Sequence, residues 1–403
     1  MRAVLAALAV TLAVQALTSM AMIAPSVMAP VAARELGVAP QAIGVFVAIS
    51  YLGAMFSGLV ASGLIARHGA FALCQAAMVL AGGGLALGYF ASVALVPVAA
   101  LAIGIGYGFV NPASSHILAR RAPPHRMALV FSIKQTGVPI GGAVAGAIVP
   151  TLLLAFGSSA TLAVLGAVCA GAALVVLPAR DALAEPGAPA ATPALRARRA
   201  FEWRRTLAGM AGPIRLALGH PRLRDLAFVS LAYAAVQIVF ITYFVSYLNL
   251  HLGYTLVTAG FVYAFAHGAG VVGRVVWGAV ADRWLAPRAT LAIIGVLSAL
   301  CGVVTAASSA AWSLAAIVAV AVLYGASAIG WNGVYLAEVA RRAPPGQVGA
   351  ATGGTQFFTF AGALSGPPLF AGIVSATGSF TWGFVAFSIV PLAVAVRLAA
   401  ARG

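Results

Sequence analysis

The sequence predicts an all-α membrane protein with twelve transmembrane helices. The chain has 403 residues, of which 63% are hydrophobic and only 7% are charged, whereas about a quarter of a soluble domain is charged. Apolar runs such as 71–118 and 143–178 are long enough to cross a bilayer, because one helical span needs about 20 residues. Backbone groups in lipid must be hydrogen-bonded within their own segment, so we expect these spans to be helices.

The predicted spans fall into two groups of six. The first apolar run continues well past the apolar region of a signal peptide, so we interpret it as the first span. A linker at 180–224 is rich in Pro, Ala and Arg. It separates an N-terminal half (1–179) from a C-terminal half (225–403). The spans are 4–31, 41–66, 71–92, 94–118, 127–152, 160–179, 226–248, 257–281, 289–309, 313–338, 349–375 and 381–398.

Two interpretations of the linker remain open. Residues 196–218 suit a basic amphipathic helix on the membrane surface, with Phe201, Trp203 and Leu207 facing the lipid. They also suit a solvated linker that keeps positive charge on one side of the membrane.

The two halves carry an internal repeat. The hexapeptide ARRAPP occurs at 119–124 and again at 340–345, which is 340 − 119 = 221 positions later. A parallel repeat of two six-helix halves is a transporter architecture, with a binding site near the bilayer midplane between the halves. Matches at offsets of 221, 216 and 222 include Gly104 with Gly325, Asn111 with Asn332, Gly44 with Gly260, Arg67 with Arg283, and Gln15 with Gln237.

The formal charge of +16 follows the membrane topology. The basic residues fall in alternate connections, in the linker and at the C-terminus, while the opposite connections hold only Arg34. By the positive-inside rule both termini and the linker are cytoplasmic, and no nucleic-acid partner is implied. Contact with anionic lipid is expected instead. The Ala- and Arg-rich usage suggests the inner membrane of a bacterium.

Several motifs resemble those of the major facilitator superfamily. Gly278-x3-Asp282-Arg283 after the eighth span is similar to its cytoplasmic loop motif, and the first-half counterpart keeps Arg67 but has Ala66 in place of the acid. The segments 136–142 (TGVPIGG) and 362–368 (GALSGPP) are similar to its Gly/Pro helix motif. The resemblance covers the whole chain and implies secondary transport by alternating access.

Two cations inside the predicted spans are the main candidates for substrate binding. Arg274 lies eight residues before Asp282, and Lys134 lies eight residues after Arg126, so each is about 12 Å into its span. A charge at such depth is costly and usually faces a cavity. Two cations at one cavity would bind an anion. The alternatives are that Arg274 pairs with a loop carboxylate and that Lys134 extends toward the headgroups.

The pattern around Arg274 is similar to that of monocarboxylate and oxalate/formate porters, in which this arginine binds the substrate carboxylate. Those oxalate porters carry their second cation in the eleventh helix. Here the corresponding position is the neutral Thr355 (134 + 221), and the lysine lies in the fifth span. The resemblance therefore favours an anion more than it favours oxalate.

The remaining ionisable residues suggest a gate and a proton path. The acids lie at span ends, where Asp282, Arg283, Glu338 and Arg341, with Arg67 in the first half, would form a cytoplasmic gate; ordinary interfacial anchoring is the alternative. Proton coupling would use His267, His116 or the substrate itself. His267 lies seven residues before Arg274, on one face of a helix, but a packed helical histidine is an equally good interpretation.

Polar residues in the first, fourth, seventh and tenth spans complete the predicted site, with interhelical hydrogen bonding as the alternative role. We find no catalytic constellation, so we expect no enzyme activity, no metal and no cofactor. The three cysteines lie in apolar runs and suit packing. The predicted lining residues are Gln15, Asn111, Gln237, Tyr243, Tyr324, Asn332 and Tyr335.

The sequence as a whole predicts a monomeric secondary transporter of a small organic anion similar to a monocarboxylate. One alternative is an exporter of drug-like or neutral solutes, which the glycine- and proline-rich fifth span permits. The other is a membrane receptor or scaffold without transport, which would leave the polar residues of the spans unexplained.

Overall fold

The computed structural model describes residues 2–123, 127–183, 212–345 and 347–400, and within these ranges the secondary structure is helical. The proposed surface helix at 196–218 therefore lies mostly outside the described residues, although 212–219 is helical. The helices are α1 (Arg2–Glu35), α2 (Ile43–His68), α3 (Ala70–Leu87), α4 (Val96–Ala119), α5 (Met127–Gln135), α6 (Gly137–Val175), α7 (Arg180–Leu183), α8 (Pro221–Ser246), α9 (Leu256–Arg283), α10 (Pro287–Ala307), α11 (Leu314–Ala328), α12 (Asn332–Arg342), α13 (Val348–Thr377) and α14 (Phe380–Ala400).

The predicted all-helical membrane fold is confirmed. Among the described residues, eleven helical segments are long and apolar enough to cross a membrane. The longest, Leu129–Ala179, has 51 residues, or about 76 Å of helix against a hydrocarbon core of about 30 Å. It is broken at Gly157, whose φ of 74° is outside the helical region. The two parts correspond to the predicted fifth and sixth spans.

In the described part of each ARRAPP segment a helix ends, as predicted: α4 at Ala119 and α12 at Arg342. In the first copy the amides of Arg121 and Ala122 donate to the carbonyl of Leu118, which ends α4. In the second copy the amide of Ala343 donates to the carbonyl of Val339, and α12 ends at Arg342. Proline cannot donate to the preceding turn of a helix, so the paired prolines limit both helices.

The predicted tenth span is interrupted in its middle. It consists of α11 and α12, with residues 329–331 in turns between them. An interruption removes partners from the carbonyls of the preceding turn. The carbonyl of Ala326 instead accepts a hydrogen bond from the indole Nε1 of Trp277 on α9, at 2.9 Å. This bond joins α9 to the end of α11.

The described chain forms two compact units, each of which combines segments distant in sequence. The division into six-helix halves at 1–179 and 225–403 stays a prediction, because one unit contains pieces of both. Unit 1 is Met1–Met22, Ile49–Gly141 and Phe156–Ala211, and unit 2 is Ile23–Ala48, Gly142–Ala155 and Gly212–Gly403.

One helix crossing recurs in both units at positions related by the internal repeat. In unit 1, a Cβ on Gly104 of α4 would collide with the backbone carbonyl of Ser50 on α2. In unit 2, a Cβ on Gly325 of α11 would collide with the carbonyl of Ala266 on α9. The pairs correspond, since 104 + 221 = 325 and 50 + 216 = 266. Small residues allow membrane helices to approach at backbone distance, and this crossing uses that property twice.

We expect Gly104→Val to destabilise the folded protein by at least about 1–3 kcal/mol, because the new side chain meets backbone that cannot rotate away. The matched control is Gly63→Val on α2, since nothing lies within 4 Å of a Cβ at Gly63. Thermal unfolding in detergent measures the difference. Equal melting temperatures for the two variants would contradict the tight α2–α4 crossing.

Candidate functional site

The interrupted tenth span brings three polar side chains of unit 2 together. Gln237 lies on α8, while Trp331 and Asn332 follow the interruption. The Oε1 atom of Gln237 accepts from the indole Nε1 of Trp331 at 2.9 Å and from Nδ2 of Asn332 at 3.3 Å. The structure thus places two predicted site residues, Gln237 and Asn332, in direct contact.

Trp331 was not among the predicted site residues. It is 1% exposed, and its ring packs edge-on against Tyr233 and Tyr335, with centroids 5.7 Å and 5.2 Å away. In the sequence it looks like an apolar core residue. The available signal was its position next to Asn332, which the repeat had already identified.

Arg274 lies on α9 beside the same interruption. Its Nε donates to the backbone carbonyl of Ile329 at 3.3 Å, a carbonyl within the non-helical segment 329–331. The side chain is partly exposed. A guanidinium has five N–H donors in a planar fork, and the bond to Ile329 orients that fork.

Tyr335 is one turn beyond the interruption, and it is buried. Its hydroxyl lies near those of Ser230, Thr355 and Thr359 but makes no hydrogen bond of normal geometry with a described residue. Thr355, the repeat position of Lys134, is itself fully buried. The second half therefore has a neutral hydroxyl cluster at this position.

Lys134 occupies the corresponding place in unit 1. It is 1% exposed, and its Nζ donates to Oδ1 of Asn111 and, at 3.5 Å, to Oε1 of Gln135. In this structure the ammonium is enclosed and does not extend to the surface. Lys134 and Asn111, predicted separately, are thus brought together by α5 and α4.

Gln15 on α1 is also buried in unit 1. A Cβ on Gly137, three residues after Lys134, would lie 2.8 Å from the Cβ of Gln15, so α1 passes close to the start of α6. The Nε2 atom donates to Oγ of Ser19 at 3.4 Å, and Oε1 has no hydrogen-bond partner among the described residues. This is an acceptor available to a ligand or a water molecule.

His267 lies on α9 and is fully buried in unit 2. Its Nδ1 is 3.3 Å from the carbonyl of Tyr263, and its Nε2 has no hydrogen-bond partner among the described residues. A Cβ on Gly142 would collide with the imidazole ring. If Nδ1 carries the proton and donates it to the carbonyl, Nε2 is a buried proton acceptor.

Two predicted lining residues pack between helices in this structure. The hydroxyl of Tyr243 donates to the carbonyls of Gln41 and Pro367 at 3.0 Å and 2.9 Å. The ring of Tyr324 is buried and lies 4.4 Å from that of Phe240. Both side chains hold helices of unit 2 together, which agrees with the alternative role proposed for the polar residues.

Two of the predicted gate residues, Glu338 and Arg341, form an ion pair. Glu338 is buried and forms ion pairs with Arg341 and, at 2.9 Å, with Arg342, all on α12. Asp282 and Arg283 are exposed, as is Arg67 in unit 1.

Sequence reasoning missed one ion pair, in which Arg397 contacts Asp225 at 2.5 Å. Arg397 lies near the C-terminal end of α14, and Asp225 lies near the N-terminal end of α8. Opposite charges at the ends of two spans were the available signal. Among the described residues, no group of three or more His, Cys, Asp or Glu could hold a metal ion.

We expect Lys134 and Asn111 to be energetically coupled. Asn111→Leu removes an acceptor from a buried ammonium and should destabilise the protein, whereas the double variant with Lys134→Met should recover much of the loss. A double-mutant cycle by thermal unfolding should give a coupling of about 1.5–3 kcal/mol, the range for hydrogen bonds to charged groups. Additive effects would show that the two side chains do not interact.

Comparison with known proteins identifies the family of the chain. No match was found among curated proteins. The profile of the Major Facilitator Superfamily matches residues 11–367, which is 367 − 11 + 1 = 357 of the 403 residues. Since the match covers most of a multi-pass helical chain, the protein belongs to the Major Facilitator Superfamily and is a secondary transporter rather than an enzyme.

Proposed function

We propose that this transporter moves a small organic anion similar to a monocarboxylate. The observation that carries the proposal is Lys134, whose ammonium is 1% exposed and hydrogen-bonded to amide oxygens. The amide oxygens of Asn111 and Gln135 are neutral acceptors. Because burying a cation is costly, its presence in a span is best explained by an anionic substrate.

Arg274 supplies the second cation of the proposed site. It contacts the interrupted segment of the tenth span through Ile329, and discontinuous helices are typical of substrate sites in transporters. Its planar fork suits a carboxylate, which accepts two parallel hydrogen bonds. We propose that this fork binds the carboxylate of the substrate.

The proposed mechanism is alternating access between two six-helix halves. Two crossings of unit 2 support it. A Cβ on Gly44 would lie 2.8 Å from the carbonyl of Pro367, and a Cβ on Gly146 would lie 2.7 Å from that of Gly260. These are repeat-equivalent pairs, since 44 + 216 = 260 and 146 + 221 = 367. Each pair joins a first-half segment to a second-half helix with no room for a solute between them.

The remaining parts of the proposal concern coupling and location. His267 is the proposed proton carrier, because its Nε2 is buried and lacks a partner among the described residues. We propose a monomer in a bacterial inner membrane, with both termini cytoplasmic. The distribution of arginines supports this orientation.

We expect Lys134→Gln and Arg274→Gln each to lower anion uptake by about 10-fold or more, because each removes a charge that binds the anion. Reconstituted liposomes supplied with labelled anions, cations and neutral solutes measure the effect. The control is Arg215→Gln, which removes an exposed arginine. Wild-type uptake of cations or neutral solutes alone would contradict the anion proposal, as would unchanged flux in both variants.

We expect Gly260→Val to abolish transport in a protein that still folds. The added side chain would collide with the carbonyl of Gly146 and would prevent the closed arrangement of these helices. Gly268→Val on the same helix is the control, since nothing lies within 4 Å of a Cβ there. Flux and size-exclusion profiles are compared. Normal flux in Gly260→Val would mean that this contact is not part of the transport cycle.

A further inference from the structure

The orientation of the Gln237 amide is determined by its neighbours. Its side chain faces the indole N–H of Trp331 at 2.9 Å and the Asn332 side chain at 3.3 Å. An indole nitrogen can only donate, so the atom of Gln237 that faces it has to be the carbonyl oxygen. The chemistry of the partner thus removes the usual ambiguity between the oxygen and nitrogen of an amide.

The other end of this amide is available to a ligand. Nε2 of Gln237 makes no hydrogen bond with the described part of the chain, and it is not among the atoms sealed from solvent. The residue as a whole is 7% exposed. With its oxygen occupied by two donors, Gln237 offers N–H groups and no acceptor.

We propose that Trp331 is a positioning residue that fixes the polarity of the Gln237 amide, so that this position binds an acceptor oxygen of the substrate. A carboxylate oxygen satisfies it, and an ammonium group, which can only donate, does not. This inference rests on the proposed function and adds a determinant of specificity to it. A site built from oriented donors rejects groups that leave those donors unpaired.

Trp331 is held firmly enough for this role. Its ring lies between the edge-on rings of Tyr233 and Tyr335. Tyr233 is itself held by a hydrogen bond from its hydroxyl to the carbonyl of Leu291, at 2.6 Å. The indole N–H therefore keeps its direction, and a reversed amide would place Nε2 against two other donors.

The first half shows what happens without the indole. The residue equivalent to Trp331 is Val110 (110 + 221), and the glutamine equivalent to Gln237 is Gln15. There Asn111 bonds to Lys134, and Oε1 of Gln15 has no partner among the described residues. The repeat supplies the same amides in both halves, but only the second half fixes the glutamine by an indole donor.

The test uses the full chain in liposomes with labelled lactate, pyruvate and oxalate. Trp331→Phe keeps the aromatic packing and removes the N–H, so KM should rise about 10-fold while kcat stays within about 2-fold. Trp382→Phe is the matched control, because Trp382 on α14 is 59% exposed and does not contact the Gln237 amide. It should leave KM unchanged. Gln237→Glu keeps the acceptor for Trp331 but loses the donors, and it should abolish uptake.

A second measurement detects the orientation of the Gln237 amide through its preference for an acceptor or a donor. Inhibition of anion uptake by propionate and by propylamine is compared, and the preference for propionate should fall in Trp331→Phe because its amide can reverse. A loss of packing alone would lower the melting temperature without changing this ratio. An unchanged ratio, or an equal KM in Trp331→Phe and Trp382→Phe, would overturn the inference alone. Wild-type protein that transports no anion would overturn the proposed function with it.

Discussion

A polar backbone group inside a membrane needs a hydrogen-bond partner within the protein, and the second half of the chain depends on how residues 329–331 meet this need. The interruption there removes helical partners from nearby carbonyls. Trp277 provides a donor for Ala326, and Arg274 provides one for Ile329. Both donors come from α9, so the break in one span is stabilised by the neighbouring span.

The residues that follow the interruption orient the amide group of this half. Trp331 and Asn332 are adjacent, and both reach Gln237 on α8. Trp331 keeps helical backbone angles, with φ of −67° and ψ of −25°. Two neighbouring donors at the start of α12 therefore share one acceptor oxygen.

Much of the fold could be predicted from the sequence, because span length and charge placement follow directly from the properties of a bilayer. The helix ends in the ARRAPP segments were also predictable, because proline cannot continue a helix and arginine favours the connections between spans. The interruption at 329–331 was not, because it contains no proline and Ile-Gly-Trp suits a continuous apolar helix. Trp331 was missed as a consequence, since its role depends on that break. Likewise, nothing in the sequence distinguished the packing role of Tyr243 from a lining role.

Comparison of the repeats separates what the fold requires from what this transporter adds. The crossings at Gly104 and Gly325 are present in both halves, so they belong to the shared packing of the repeat. By contrast, Lys134 corresponds to Thr355 and Trp331 corresponds to Val110. If a residue is required only for the shared packing, we expect the same or a similar residue at the equivalent position of the other half. The two departures give the first half a buried charge and the second half an oriented donor, so the halves differ in polar groups that the shared packing of the repeat does not require.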